Sequence, residues 1–313
     1  HLQLLKCAKQ FLKPGGQLIL AIENQLGLKY FAGAPEDHVG QAMYGIEGRY
    51  RSNQPQTFGR VTLQKLLKTA EFNVARFLAP YPDYKLPVSI ITEEGFADIN
   101  FDVATLAIQS VKLDPQMPSL SNFSLELAYP EMMANNLGLD TANSFLVIAA
   151  PKKLKKTELT TLAYHYSTDR SADFCKETHF VQDHFGTINV RYKPLRSLTK
   201  KFKRNIIKFS TPESANYVSG KLFSQEFVQL VKNDGWTYQD LATYVGRYIN
   251  ILRGLGALIN PENSIITAKT KVHGEFFDVI PRNIIICTDG TPEIIDKEWI
   301  IKDSMEIGHL LFR

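Results

Sequence analysis

Three side chains near the end of this chain stand at spacings that chemistry can use. The segment Phe276-Phe277-Asp278-Val279-Ile280-Pro281-Arg282-Asn283 runs into Ile284-Ile285-Ile286, then Asp289-Gly290, then Ile294-Ile295-Asp296-Lys297-Glu298-Trp299. Asp278 and Asn283 are five apart, and Asn283 and Asp296 thirteen apart. A carboxylate that orients a hydroxyl and takes its proton, with an amide oxygen and a second carboxylate that hold Mg²⁺ against a triphosphate, is the equipment of phosphoryl transfer. That reaction needs little covalent help and much positioning and charge neutralisation. Asp289-Gly290 between two apolar runs predicts a hairpin, with strands through Ile284–Ile286 and Ile294–Ile295. Such a hairpin would bring the three polar groups to one cleft. An ordinary hairpin with surface acids is the plainer alternative.

These residues resemble the catalytic loop and metal-binding Asp of the protein-kinase-like fold, above all its small-molecule branch, the aminoglycoside and choline kinases, whose last motif reads Ile-Asp-x-Glu. The resemblance implies Asp278 as the base, Asn283 and Asp296 as metal ligands, and ATP with Mg²⁺ as cosubstrate and cofactor. The family's structural His, two positions before the base, is Phe276 here. Upstream, Ile188-Asn189-Val190-Arg191-Tyr192-Lys193 ends in Val-x-x-Lys, which in the family places the phosphate-pairing lysine; a surface lysine at a strand end is the alternative. Asn216-Tyr217-Val218-Ser219-Gly220-Lys221-Leu222 resembles the family's hinge and implies Tyr217 and Val218 beside adenine. Two departures stand out. Ser167-Thr168-Asp169-Arg170-Ser171 occupies the place of a Gly-rich loop, and no Glu lies between Lys193 and Glu213. They keep a non-catalytic, pseudokinase-like scaffold, or a glycan-binding module, as the competing reading.

The elements that would position these residues follow from periodicity. After Gly220 the pattern turns helical, with Trp236, Leu241, Tyr244, Val245, Tyr248 and Leu252 expected as a core stripe. Strands are expected at 162–167, 174–181 and 187–193, then at 206–209 and 216–218. The other end of the chain is built differently. An amphipathic helix carrying Leu2, Leu5, Cys7, Ala8, Phe11 and Leu12 meets Leu12-Lys13-Pro14-Gly15-Gly16, and the apolar run 17–23 reads as a buried strand. A helix over 60–71, strands over 72–78 and 144–150, and a long irregular insert over about 80–143 complete this half. Loops that long are usually functional. Loops at carboxyl ends of strands in an open α/β sheet line ligand crevices. Glu23, Asn24, Glu36, Asp37 and His38 follow such an end and are candidates to face an acceptor, with His38 as a base for its hydroxyl. A solvated loop with a turn-stabilising acid is the alternative.

Helix, LKPGG turn, strand, helix, strand and apolar last strand together resemble the C-terminal half of a class I S-adenosylmethionine-dependent methyltransferase. The segments Ala21–Ala34, Pro35-Glu36-Asp37-His38 and 80–87 (PYPDYKLP) are similar to a branch found in bacterial surface-polysaccharide assembly. The family's Gly-rich loop and ribose-binding acid would lie upstream of residue 1, so the chain is expected to be a fragment with an incomplete S-adenosylmethionine site. The fold class expected is α/β and α+β, a partial Rossmann-like methyltransferase sheet over 1–153 followed by a two-lobed kinase-like domain over 157–313, itself truncated. The expected function is a bacterial transferase acting on a sugar hydroxyl in surface-polysaccharide biosynthesis. Its partners would be a glycan acceptor and glycosyltransferases.

Composition sets the limits. The chain has 313 residues, 44% hydrophobic and 22% charged, and a net charge of +4, too weak for its length to argue for nucleic acid. Cys7, Cys175 and Cys287 form no metal-ligand or disulfide spacing. No apolar run reaches a bilayer-spanning length of about 18 residues. A cytoplasmic chain is expected, with at most peripheral membrane contact through the basic runs at 152–156 and 200–204; solvated faces are the alternative. His179 and His184 lack metal spacing.

Overall fold

Pro14, Gly15 and Gly16 stop the first helix as their residue types dictate. Helix α1 (Leu2–Gln10) ends, Gly16 N–H donates to Lys13 O at 2.8 Å, and Gly15 takes a φ of +78° that other residues resist. Of the expected apolar stripe only Leu5 is buried, while Cys7 and Phe11 face solvent. Strand β1 (Leu18–Glu23) follows, then the short α2 (Leu28–Phe31), α3 (Arg60–Thr69) and β2 (Val74–Tyr81). The computed structural model describes residues 1–152, 159–196, 206–259 and 265–313. They form two compact units, His1–Leu195 and Arg196–Arg313.

The region 80–143 is not irregular. It contributes β3 (Ser89–Thr92), α4 (Glu93–Ala97), α5 (Val103–Ile108), α6 (Leu125–Ala134) and α7 (Gly138–Thr141) before β4 (Ser144–Ala150). Side-chain caps start two of these short helices, Thr92 accepting from Gly95 N–H and Asp102 from Thr105 N–H. In the first unit β5 (Thr160–Ser167), β6 (Lys176–Gln182) and β7 (Ile188–Pro194) extend the same sheet, ordered β1-β4-β2-β3-β5-β6-β7. Its ladders are antiparallel, with Ile22 opposite Phe145, Phe77 opposite Val147, Ile90 opposite Tyr164 and Glu177 opposite Lys193. Strands β1 and β2 run the same way because both are antiparallel to β4 between them. The expected division at 153/157 therefore differs from the compact one: β3 offers an edge that β5 completes, which draws β5 to β7 into the first unit. Phe72, Phe77, Phe145 and Leu67 form the core beneath α1 and α3, and Val61 on α3 is exposed.

The second unit holds β8 (Ile207–Phe209), β9 (Ser214–Asn216), β10 (Lys221–Leu222), α8 (Phe223–Val231), α9 (Tyr238–Gly254) and β11 (Lys271–His273). It closes with β12 (Ile284–Ile286), β13 (Pro292–Ile294), β14 (Trp299–Ile301), β15 (Ser304–Glu306) and α10 (Ile307–Phe312). Helix α9 starts at a capping box, Thr237 with Asp240, so Trp236 and Tyr238 flank a solvent-facing end. They are 46% and 86% exposed, which corrects the expected core stripe; Tyr248 and Leu252, further along, are buried. Phe223, Tyr248, Leu252, Val279, Ile280 and Ile284 make the core of this unit. Among the described residues no helix is long and apolar enough to cross a membrane. Residues 153–156 and 200–204, most of the two basic runs, lie outside the described residues.

One buried ion pair ties the 80–143 region to α2. Lys29 Nζ lies 3.3 Å from Asp114 Oδ2, with both side chains fully enclosed, and also donates to Gln116 Oε1. Removing one partner of such a pair strands the other charge. Lys29→Met is expected to cost about 3–5 kcal/mol. Adding Asp114→Asn, which keeps an acceptor for the Asn143 amide, should recover part of that loss, and urea denaturation of the three proteins measures both.

Candidate functional site

In the second unit, packing holds the sequence around Asp278 as a loop. His273 ends β11, and Gly274 turns so tightly that a Cβ there would collide with the backbone oxygens of Ile301 and Asp303. Tyr248, buried in α9, donates its hydroxyl to Val279 O at 2.5 Å and anchors the loop from below. Asn283 Nδ2 donates to Asp278 O at 2.9 Å, closing the five-residue interval. The predicted hairpin follows: Ile284 pairs with Ile294 and Ile286 with Pro292. Gly290 at φ +84° makes the turn, with Asp289 Oδ1 accepting from Thr291 N–H. Ile295 N–H donates to Asn283 O at 2.9 Å, so Asp296 emerges beside Asn283, in a left-handed conformation at φ +55°.

The Asp278 carboxylate is buried, and its two oxygens differ. Oδ2 accepts from Glu298 N–H at 2.9 Å and Trp299 N–H at 2.6 Å, while Oδ1 lies 3.6 Å from the Arg313 guanidinium. Arg313 is itself fixed by Phe277 O at 2.6 Å and by stacking on the Phe277 ring. Burial pushes the Asp278 carboxyl above its ordinary value; the two amides and Arg313 oppose this, and Asp296 adds to it. Asp278, Asn283 and Asp296 thus meet on one loop and hairpin. Lys193 is exposed on β7 in the first unit, and Tyr217 and Val218 are half-buried just after β9 in the second. Among the described residues no group of three or more His, Cys, Asp and Glu side chains is placed to hold a metal.

The first unit gathers polar groups where β1 and β2 end. Glu23 closes β1, and its Oε1 accepts from the Tyr84 hydroxyl at 2.9 Å and from Lys85 Nζ at 2.7 Å. Burial works against the Glu23 carboxylate, but the hydrogen bonds from Lys85 and Tyr84 outweigh it and hold the group below its ordinary value. Burial likewise works against the Lys85 ammonium, and the hydrogen bond and charge of Glu23 overcome it, raising that pKa. Asp83 and Asp37 face the same ammonium, and Asp37 accepts from the Tyr30 hydroxyl.

Neighbouring polar groups serve the chain itself. Asn24 is fully buried, donating to Asp140 O and Ala142 O at 2.8 and 2.7 Å and accepting from Leu26 N–H. Glu36 Oε2 accepts from His38 N–H and Val39 N–H, and Oε1 from the Tyr50 hydroxyl, an acid that organises its own turn. His38 is exposed on that turn. His179 pairs with Glu177 at 2.6 Å. Sequence reasoning passed over Tyr30, Asp83, Tyr84 and Lys85 as site residues, although Pro82-Asp83-Tyr84-Lys85 is polar punctuation directly after a strand, the signal that singled out Glu23.

Comparison with protein-family models, with curated proteins and with solved structures finds no match to this chain. Glu23 offers a direct test through pH. Its folded value lies below the unfolded value near 4.5, so its contribution to stability is complete above that pH and is lost as pH falls through the lower folded value. Glu23→Gln is expected to cost about 2 kcal/mol at neutral pH. The gap from the parent protein should close as pH drops below about 4.5, and urea midpoints across pH 7 to 3 measure it.

Proposed function

We propose that this chain is part of a transferase that pairs a methyltransferase half with a kinase-like, phosphoryl-transferring unit and acts on a sugar hydroxyl of a surface polysaccharide. The observation that carries the reading is the meeting of Asp278, Asn283 and Asp296 on a loop and hairpin whose strands fall where their spacing required. The order α1, β1, α3, β2, β4 supports the methyltransferase half, since it is the order of elements that carries the resemblance. Glu23 and Asp37 at the end of β1 lie on the acceptor side in this reading, and His38 is the exposed imidazole nearest in sequence.

The donor set suits Mg²⁺, a hard cation that takes oxygen ligands and keeps positions for phosphate and water. Asn283 and Asp296 would hold it, and bound there it neutralises triphosphate charge. The chain's own part is positional. Two backbone amides fix Asp278 Oδ2, which leaves Oδ1 to receive a hydroxyl proton, and a carboxyl raised by burial is a better proton acceptor than an exposed one. Arg313 beside Oδ1 is the observation that favours the scaffold reading, because it occupies the oxygen an acceptor would need. ATP titrated calorimetrically into the chain with Mg²⁺, and again with chelator, tests the first reading. Binding is expected only with the metal, and Asp296→Ala should weaken it at least about tenfold; unchanged affinity in that variant removes Asp296 as a ligand. Metal-dependent binding without phosphate transfer to any sugar would favour the scaffold.

A further inference from the structure

The first unit places more carboxylate around the Lys85 ammonium than one cation balances. Glu23 Oε1, Asp83 Oδ2 and Asp37 Oδ1 lie 2.7, 3.4 and 3.8 Å from Nζ, on side chains 9%, 2% and 6% exposed. The neighbouring cation, Lys29, is already committed to Asp114 and Gln116. Buried charge in excess of its partners is costly and is not kept for stability. It is a feature of sites that receive a complementary ligand.

Asp37 supplies a second, independent sign. Its Oδ2 accepts from the Tyr30 hydroxyl, but its Oδ1 is buried and accepts no hydrogen bond, standing beyond bonding distance from Lys85. That orphaned oxygen points toward the ammonium at the centre of the cluster. Lys85 is 44% exposed on a flexible stem, and its Nζ lies 4.7 Å from the Tyr84 ring centroid, an aromatic face that suits a cation. The lysine is placed as a displaceable internal cation.

We propose that this strand-end cluster binds a ligand carrying a protonated amine beside hydroxyls, the chemistry of an amino sugar, whose ammonium donates to Asp37 Oδ1 as Lys85 swings toward solvent. Glu23 and Asp83 then accept from the neighbouring hydroxyls, and the same carboxylates repel a uronate or a sugar phosphate. The proposal rests on the reading of this strand end as the acceptor side of the first unit and adds the charge of the acceptor. It uses none of the phosphoryl-transfer residues.

Calorimetric or NMR titration of the whole chain with D-glucosamine, D-glucose and D-glucuronate tests it. Glucosamine is expected to bind about tenfold or more tightly than glucose, with no binding of glucuronate. Asp37→Asn keeps an acceptor for Tyr30 and should weaken glucosamine by about tenfold. If that variant does not fold, as a thermal melt would reveal, Lys85→Gln serves instead: removing the competing cation should tighten glucosamine and leave glucose unchanged. Equal binding of glucose and glucosamine overturns the amine while keeping the acceptor side. Binding of no sugar overturns the acceptor side as well, and unchanged glucosamine affinity in the folded Asp37→Asn variant overturns the assignment of Asp37.

Discussion

Polar groups carried into the interior must find partners there, and in the first unit that requirement falls on the place where β1 stops and β4 starts. Asn24 and Asn143 meet it together. Asn24 N–H donates to Asn143 O, and the Asn24 amide reaches two backbone carbonyls just before β4. The Asn143 amide reaches Pro82 O and Asp114, and its oxygen accepts from Lys29 N–H and the Tyr129 hydroxyl. Through these bonds one edge of the sheet, the end of β2 and the region between β3 and β4 share a single arrangement. A group that satisfies buried backbone in this way is costly to remove, since each lost partner strands a donor or acceptor. The strand-end carboxylates stand on that frame, which is why Glu23 and Asp83 can sit almost sealed from water beside a half-exposed lysine.

The second unit solves a similar problem with a charge instead of an amide. Glu298 N–H and Trp299 N–H lie just past the left-handed Asp296 and both turn to Asp278 Oδ2. The carboxylate thereby sets the path of the chain after the hairpin. Asn283 divides its work in the same manner, its amide hydrogen closing the loop while its main-chain oxygen receives Ile295. In the proposed reading, structural and chemical duties overlap on the same side chains, so any substitution of Asp278 will read on stability and on function together. Asp296, half-buried at the hairpin's end, separates the two effects better.

How much of this was legible depended on whether the physics was local. The Asp289-Gly290 turn and the triple isoleucine strand are local, and each falls where the residues demand. The extent of the sheet was not local. The runs 162–167, 174–181 and 187–193 read as strands, but nothing in their own composition says that β5 will complete the edge of β3. The 80–143 region reads as irregular in sequence because its helices are short and two of them begin at single caps, Thr92 and Asp102, that periodicity over so few residues does not reveal. Trp236 misled in another way. It shares the stripe of Tyr244 and Tyr248 in sequence, yet it precedes the Thr237 cap and so lies outside the helix whose face the stripe describes.

The two buried carboxylates show why burial by itself does not decide what an acid can do. Glu23 and Asp278 are both nearly sealed from water, and burial opposes the charge of each. At Glu23 an ammonium at 2.7 Å and a phenol at 2.9 Å donate to one oxygen, and the charged form wins. At Asp278 the donors are neutral amides, the nearest cation stands at 3.6 Å, and a second acid adds repulsion, so the neutral form gains. The first arrangement makes a fixed charge that a cationic or hydroxylated ligand can be held against; the second makes a carboxyl that can take a proton and give it back. Neither outcome follows from residue type or depth, and both follow from what donates to the oxygens. That is the level at which the two carboxylates come to differ.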